Sequence, residues 1–524
     1  MPGRRLIQNI FLKGTSNMEK YIIAHDLGTT ANKATLFSTD GRMISSAVRS
    51  YDTHYFNDNW AEQNPEDWWE AVCETTASMA RLVPPEDVLA ISFSGHMMGC
   101  LAIDDHGKPL RPHILWSDMR ATRQMARLLS QVPEKEFYAI TGHRASAAYT
   151  LEKIMWVKDN EPEVYARTAC FIHPKDYMVY RLTGRVMSDF SDASGTNAFD
   201  INTFEWSKKL LDCAGVDIGR LPKLVPSITV AGTLLPEAAA ACGLTTQTKV
   251  VLGAGDGATA SVGAGSVREG ITYGCMGTSA WIGSTSKKPL VTDRRLIVNW
   301  ASAVPGLINP IGTMQAAGAS FSWLKNQICT QETAEAAARG VSAYDLINEE
   351  IAKSPAGSNG ILFLPYLLGE RAPRWNSEAT GCFVGLKMVN SRCDVLRSVV
   401  EGIGYNLRIV LDEFTGSGLD PESIALVGGM AKGAVERQIF ADIWNHRILK
   451  LNYTEEAGSI GAAVIGGVGI GVFDSFDAVN SFWQVTDTVD PDPANAAVYE
   501  KYLPVFNQTY ESLLGVYTTM AGMR

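Results

Sequence analysis

The 524-residue sequence holds no run of eighteen apolar residues, so no segment is long enough to cross a bilayer as a helix. It also lacks a surplus of positive charge. Its 46 lysines and arginines stand against 56 aspartates and glutamates, for a net charge of −10 and a pI near 5.4. Such a chain repels polyanions at long range, so neither nucleic acid nor a membrane is an expected partner. An anionic ligand must then be held by local devices: backbone amides, helix ends and a metal ion. The nine cysteines include no pair at zinc spacing and their number is odd, the pattern of a reducing compartment, and a cytoplasmic location is expected. Eight histidines fall at no metal-ligand spacing, and there is no Gly-x-Ser-x-Gly nucleophile elbow.

What is present is enough for two cores. The length exceeds what one core organises, and 46% hydrophobic residues with 9% aromatics describe a folded chain. Residues 1–18 carry Arg4, Arg5 and Lys13 around a broken apolar patch. They are expected to be a disordered N-terminal extension or an upstream start, with a transit peptide as the alternative. A first lobe is expected over 19–248, a second over 249–490, and a closing amphipathic helix over 491–524, with Tyr499, Tyr502 and Phe506 on one side.

From Tyr21 the chain reads YIIAH, DLGTT, NKATLFS, then Asp40-Gly41 and MISSAV. Asp-Gly between alternating apolar runs marks a hairpin, so the opening is a three-stranded antiparallel meander and not the strand-turn-helix of a Rossmann or Walker site. Helices are expected from Pro65 to Leu82, about Thr150 to Asp159, and Ser207 to Ala214, with Trp60, Trp68 and Trp69 as one lobe's packing cluster. The second half repeats this grammar loosely. ITYGCMGTSAWIG echoes the opening, and PESIALVGGMAKG echoes PEDVLAISFSGHMMG, which suggests two similar lobes facing one another.

Four segments can carry chemistry. In Asp26-Leu-Gly28-Thr29-Thr30, Gly28 permits close backbone approach, successive amides form an anion nest, the hydroxyls donate, and Asp26 can hold Mg²⁺; an ordinary hairpin turn is the plain alternative. Gly277-Thr278-Ser279 has the same makings. Asp256 in GAGDGATA has only small neighbours, which suits a general base for a hydroxyl proton and equally a helix N-cap. Gly429-Met430-Ala431-Lys432 follows a buried strand and offers bare backbone to a ribose or base, or is simply a tight strand-helix turn.

Together with Gly381-CFVGLKMVNSRCDVLRSVV-Glu401 and TLEKIMWVKDN from Thr150, these segments resemble the FGGY carbohydrate kinases, from about Lys20 to Gly471. Within that family the xylulokinases are nearest in pattern, through WAEQNPEDWW, ILWSDMR, PKDYMVYRLTG, SDFSDASGT and PYLLGERAP. The resemblance implies an α/β, actin-like (ribonuclease H-like) ATPase fold of two similar lobes with a central cleft. It implies ATP and Mg²⁺, with phosphates on Gly28, Thr29, Thr30, Gly277, Thr278 and Ser279. Adenosine is expected on Gly429 to Lys432, the metal at Asp26 and Asp256, and the catalytic base at Asp256. The sugar, D-xylulose first among candidates, is expected against His96, Met97, Met98, Trp116, Asp118 and Asp256, with a homodimer as an assembly option. Met98 stands where xylulokinases usually carry histidine and His96 where they carry glutamine. Either the swap shifts the preference away from D-xylulose, or, since strand alternation would send both to one face, His96 supplies the missing bond and D-xylulose remains the substrate. Met430 and Gly433 replace the usual Gly and Ser, and His25 an aliphatic residue. The rival readings are a family member acting on another polyol, deoxysugar or sugar acid, and an actin-like ATP-binding regulator without a sugar acceptor.

Overall fold

The computed structural model describes residues 19–523 apart from Thr454; the expectation for residues 1–18 lies outside them. Two seven-stranded mixed sheets organise the chain. In the first, Tyr21–Leu27, Ala31–Ser38 and Met43–Ser50 form the antiparallel meander, while Tyr21–Leu27 pairs in parallel with Val88–Gly95. Lys249–Val251 continues the parallel run and Val230–Thr233 closes the edge antiparallel. The second sheet follows the same path. Thr272–Met276, Ala280–Ser284 and Ile308–Met314 form the meander, Ser423–Val427 and Arg447–Leu451 continue in parallel, and Val485–Val489 closes the edge antiparallel. The loose sequence echo thus corresponds to an equivalent strand order, with each Gly-Thr turn leaving the same end of its central strand.

Helices Pro65–Ala80, Thr150–Asn160, Lys208–Ala214 and Pro493–Ala521 form where the apolar spacing places them. The three tryptophans do not share a cluster, however. Trp68 is fully buried, Trp60 packs edge-on to Trp156 under the Arg120 guanidinium, and Trp69 lies beneath Arg181.

The lobes interleave in sequence more than the expected break between Thr248 and Lys249 allows. Lys249–Val251 belongs to the first sheet, and one face of that sheet is covered by Asp256–Gly263 and by Ala457–Gly469 from the far end of the chain. Ile22, Ala24, Ala90 and Val251 meet Ala258, Val262, Ile460 and Val464 there. Each such aliphatic side chain contributes about 1.5–3 kcal/mol when removed from water, and the strands cannot cover this face themselves. The two covering helices touch backbone to backbone: a Cβ on Gly461 would overlap the Thr259 carbonyl, and one on Gly263 the Ala457 carbonyl.

The second half of the segment Gly381–Glu401 enters the core of the second lobe through Leu396, Val399 and Val400, while Val384 to Val389 lie exposed. Ser391 and Asp394 form a capping box that starts the helix Arg392–Gly416, and its Arg397 pairs with buried Glu401 at 2.7 Å. Glu401 also accepts from Ser358 and from Tyr499 of the last helix, both at 2.7 Å.

Candidate functional site

The turn after the first strand is closed by Gly28 N–H donating to the Ala31 carbonyl at 3.0 Å, with the Gly28 carbonyl accepting from Tyr51. Gln63 holds the Thr29 carbonyl at 2.6 Å, and Trp116, from the expected sugar side, donates its indole N–H to Thr29 Oγ1 at 2.9 Å. In the second lobe the Gly277 and Thr278 carbonyls accept from Gly318, Ala317 and Ala319 at 3.0–3.1 Å, which fixes that turn against the start of a helix.

Asp26 ends the first strand beside Ser94, its parallel partner, and a Cβ on Gly458 would lie 3.0 Å from its carboxylate. Burial raises its pKa, opposed by Lys33 and a hydrogen bond from Ser94. Asp256 is the first residue of its helix, and its Oδ1 accepts the Gly257 N–H at 2.7 Å. Its side chain is exposed to solvent, but the protein crowded around it partly desolvates the carboxylate. That desolvation pushes its pKa up to about 7, and the Asp26 and Asp192 carboxylates add to the rise. Two desolvated, mutually repelling oxygen donors suit a hard divalent cation, so Asp26 and Asp256 fit Mg²⁺.

Met97 is buried, with its thioether filling the space beside Gly255 and Gly195; Met98 lies against Gly195 and takes φ +65°. Lys153 is buried and donates to the Met98 carbonyl at 3.1 Å and to that of Ala148, while burial lowers its pKa to about 7. This lysine and the helix Thr150–Asn160 explain the first family-like segment: it clamps the methionine loop.

Two expected sugar-side residues are elsewhere. His96 follows the end of the strand at Gly95, and the left-handed turn at Met98 breaks the alternation that would have put both on one face. Its ring is buried edge-on between Trp68 and His113, neither nitrogen has a partner, and burial lowers its pKa to about 3. It therefore does not replace the histidine missing at Met98. Asp118 is also withdrawn: it is fully buried and saturated by the Arg120 side chain at 2.7–3.0 Å, the Arg120 N–H and the Ala61 N–H. A buried carboxylate needs such partners, and Arg120 supplies them.

Sequence reading missed the scaffold behind Asp256. Lys175 is fully buried and contacts Asp176 at 2.7 Å and Asp189 and Asp192 at 3.1 Å; His173 meets Asp192 at 3.2 Å. His173, Asp176 and Asp192 form a metal-like cluster among the described residues, but the Lys175 ammonium already meets their charge. Ser191 links this network to the site, donating to Asp189 at 2.5 Å and accepting the Gly255 N–H at 2.9 Å, one residue before Asp256. Its residues lie in the PKDYM and SDFSDASGT blocks, which is the signal that pointed to them.

Gly277, Thr278, Gly429, Met430 and Lys432 come together around one cavity of about 580 Å³, further walled by Phe321, Tyr344, Asn348 and Glu436. That volume lies within the range of small-molecule sites. Asn348 donates to Glu436 at 2.9 Å, which leaves its buried carbonyl oxygen without a partner. Gly433 has a local reason, since a Cβ there would overlap the Glu436 carboxylate. Ala431 is buried, and Lys432 pairs with Glu455 at 2.5 Å; the Glu455 carbonyl also accepts from Lys33 of the first lobe at 3.3 Å.

Models of the N-terminal and C-terminal domains of the FGGY family of carbohydrate kinases match residues 21–263 and 272–470. The chain is 32% identical over 508 residues to a xylulose kinase of Bacillus subtilis (strain 168), covering 96% of this chain and 99% of that one. It is 31% identical over 505 residues to a gluconokinase of the same organism, covering 96% and 98%. The ligand-bound crystal structure of xylulose kinase from Lactobacillus acidophilus superposes with a TM-score of 0.89 at 26% identity, over 96% of this chain and 100% of that one.

Proposed function

Because the chain belongs to the FGGY family of carbohydrate kinases, we propose that it transfers the γ-phosphoryl group of ATP to a terminal hydroxyl of a small sugar, with Asp256 as the base. The observation that carries this reading is the state of Asp256. It is a desolvated carboxyl lifted to about 7, beside Asp26 and the Gly28–Thr30 turn. A carboxylate with that affinity takes a hydroxyl proton near neutral pH far better than an ordinary aspartate.

In the reaction the acceptor oxygen loses its proton to Asp256 and bonds to the γ-phosphorus, while the bond from that phosphorus to the β,γ-bridging oxygen breaks and ADP departs with the pair. The Gly28–Thr30 and Gly277–Ser279 turns orient the phosphates through backbone amides and hydroxyls, and the cavity lined by Met430 and Asn348 takes the adenosine. Asp26 and Asp256 would hold Mg²⁺, which when bound shields phosphate charge. Met97, Met98 and Trp116 bound the acceptor.

D-xylulose is the ketose that the sequence blocks point to. A sugar acid is the second reading, favoured by the nearly equal similarity to a gluconokinase. The test is ADP release across a panel of ketoses, polyols and sugar acids. ADP release unaffected by every acceptor would reject the proposal in favour of an ATP-binding regulator.

A further inference from the structure

We propose that Cys73 and Cys242 are a peroxide-responsive thiol pair, which closes to a disulfide and loosens the anchoring of His25 beside Asp26. The cross-link stands apart from the kinase reading above; its effect on turnover rests on it.

All nine cysteines are free thiols, so a disulfide here is an event and not part of the fold. Cys73 lies on the helix Pro65–Ala80, and Cys242 ends the helix Pro236–Cys242. The two helices pack through small residues: a Cβ on Gly243 would lie 3.9 Å from the Ala80 Cβ and 4.0 Å from the Ala77 Cα. Ala77 and Ala80 follow Cys73 by four and seven positions on one helical face, so Cys73 looks onto the end of the shorter helix. There its thiol and that of Cys242 share a hydrogen bond, and Cys242 also bonds to the Thr76 side chain.

The two thiols are not equivalent. Cys73 is half-buried and within reach of a small oxidant, whereas Cys242 is fully buried. The hydrogen bond with Cys242, helped by the Arg181 guanidinium, holds the Cys73 pKa below the usual thiol value, while the same bond and burial push that of Cys242 up. An accessible, acidified thiol beside a second cysteine is the arrangement in which one sulfur meets the oxidant and the other resolves it.

In the first step the Cys73 thiolate attacks one oxygen of the peroxide, the O–O bond breaks, and the departing hydroxide takes a proton to become water. The Cys242 sulfur then bonds to the resulting sulfenic sulfur, the S–O bond breaks, and the Cys242 proton leaves with that oxygen as a second water. Two thiols are oxidised and one peroxide is reduced. The sulfurs close to about 2.05 Å, and this movement, with the loss of the thiol protons, breaks the bond between Cys242 and Thr76.

Thr76 connects the pair to the site. Its hydroxyl donates to the Val72 carbonyl at 2.6 Å and so accepts from His25 Nε2 at 3.1 Å. His25 Nδ1 accepts from Asn32 Nδ2 at 3.1 Å, and the same amide donates to Thr75 Oγ1 at 2.8 Å. His25 immediately precedes Asp26 on the first strand. The histidine found where an aliphatic residue was expected is therefore held by the helix that carries Cys73.

The experiment treats the wild type, Cys73→Ser and Cys242→Ala with hydrogen peroxide. Mass spectrometry maps linked peptides, ADP release is followed with the best acceptor, and hydrogen exchange is read over Tyr21–Leu27. The expected result is a Cys73–Cys242 peptide in the wild type, absent from both variants and lost on adding dithiothreitol. Wild-type turnover should fall roughly 2–10-fold, the scale of one neutral hydrogen bond, and recover with dithiothreitol, while that of Cys73→Ser holds. Exchange over the strand should rise on oxidation in the wild type alone. Absence of the linked peptide, its formation with unchanged exchange and turnover, or an equal loss in Cys73→Ser overturns the inference. If no form releases ADP, the kinase reading fails, and the linked peptide with raised exchange still carries this one. Cys73 is half-buried, so its serine variant keeps the test decisive even if Cys242→Ala does not fold.

Discussion

The Trp116 indole N–H donates to Thr29 Oγ1 at 2.9 Å, joining a side chain of the proposed acceptor side to the turn proposed to take phosphate. The two sit 87 residues apart in sequence, and the bond makes the position of one depend on the other. Trp116→Phe keeps a ring and removes the bond. We expect kcat/KM to fall about 2–10-fold, the worth of one neutral hydrogen bond. Steady-state kinetics check this, and a loss seen for the nucleotide alone would contradict the coupling.

Asp256→Ala should lower turnover by roughly 10²–10⁴ while leaving ADP affinity measured without Mg²⁺ nearly intact, since the proposed partner of the carboxylate as a base is the acceptor hydroxyl. The pH dependence has a definite sign. Desolvation raises the Asp256 pKa to about 7, so the base is protonated and inactive below that pH. The kcat/KM of the wild type should fall about tenfold per unit of acidification there. A flat profile from pH 5 to 8 would remove Asp256 from the role.

The unpartnered carbonyl oxygen of Asn348 lines the nucleotide cavity. It accepts hydrogen bonds, so it favours the exocyclic amine of adenine over the carbonyl of guanine. Asn348→Ala should weaken ATP binding by about 2–10-fold and narrow the preference for ATP over GTP. Competition kinetics with both nucleotides measure it, and an unchanged ratio counts against the contact.

Gly461 crosses the helix Asp256–Gly263 where a Cβ would overlap the Thr259 carbonyl. Gly461→Val should therefore cost about 1–3 kcal/mol through overpacking. The same change displaces the helix that begins with Asp256, so activity should fall along with Tm. Thermal unfolding followed beside turnover tests this, and full activity at wild-type Tm would mean that the crossing is not tight.

Much of the architecture was legible because it is local. The Asp40-Gly41 turn, the alternation in Met43–Ser50 and the spacing of Trp68, Val72 and Met79 follow from backbone sterics and side-chain periodicity within a few residues. The Gly-Thr turns and the glycine-lined Asp256 were visible for the same reason: small residues mark close backbone approach wherever they stand.

The rest required partners that sequence does not align. Asp118 and the sugar site parted because Arg120 and the Ala61 N–H satisfy its carboxylate in the interior. His96 left the face of Met98 because the strand ends at Gly95 and Met98 turns left-handed. The Lys175 network and the orphaned oxygen of Asn348 are facts of burial, set by which distant groups supply a hydrogen bond or a charge. The sequence by itself determined two mixed sheets with phosphate-ready turns. Tertiary structure decided which carboxylates were desolvated and which were given a cation as partner, because desolvation and pairing are properties of the packed chain and not of any segment of it.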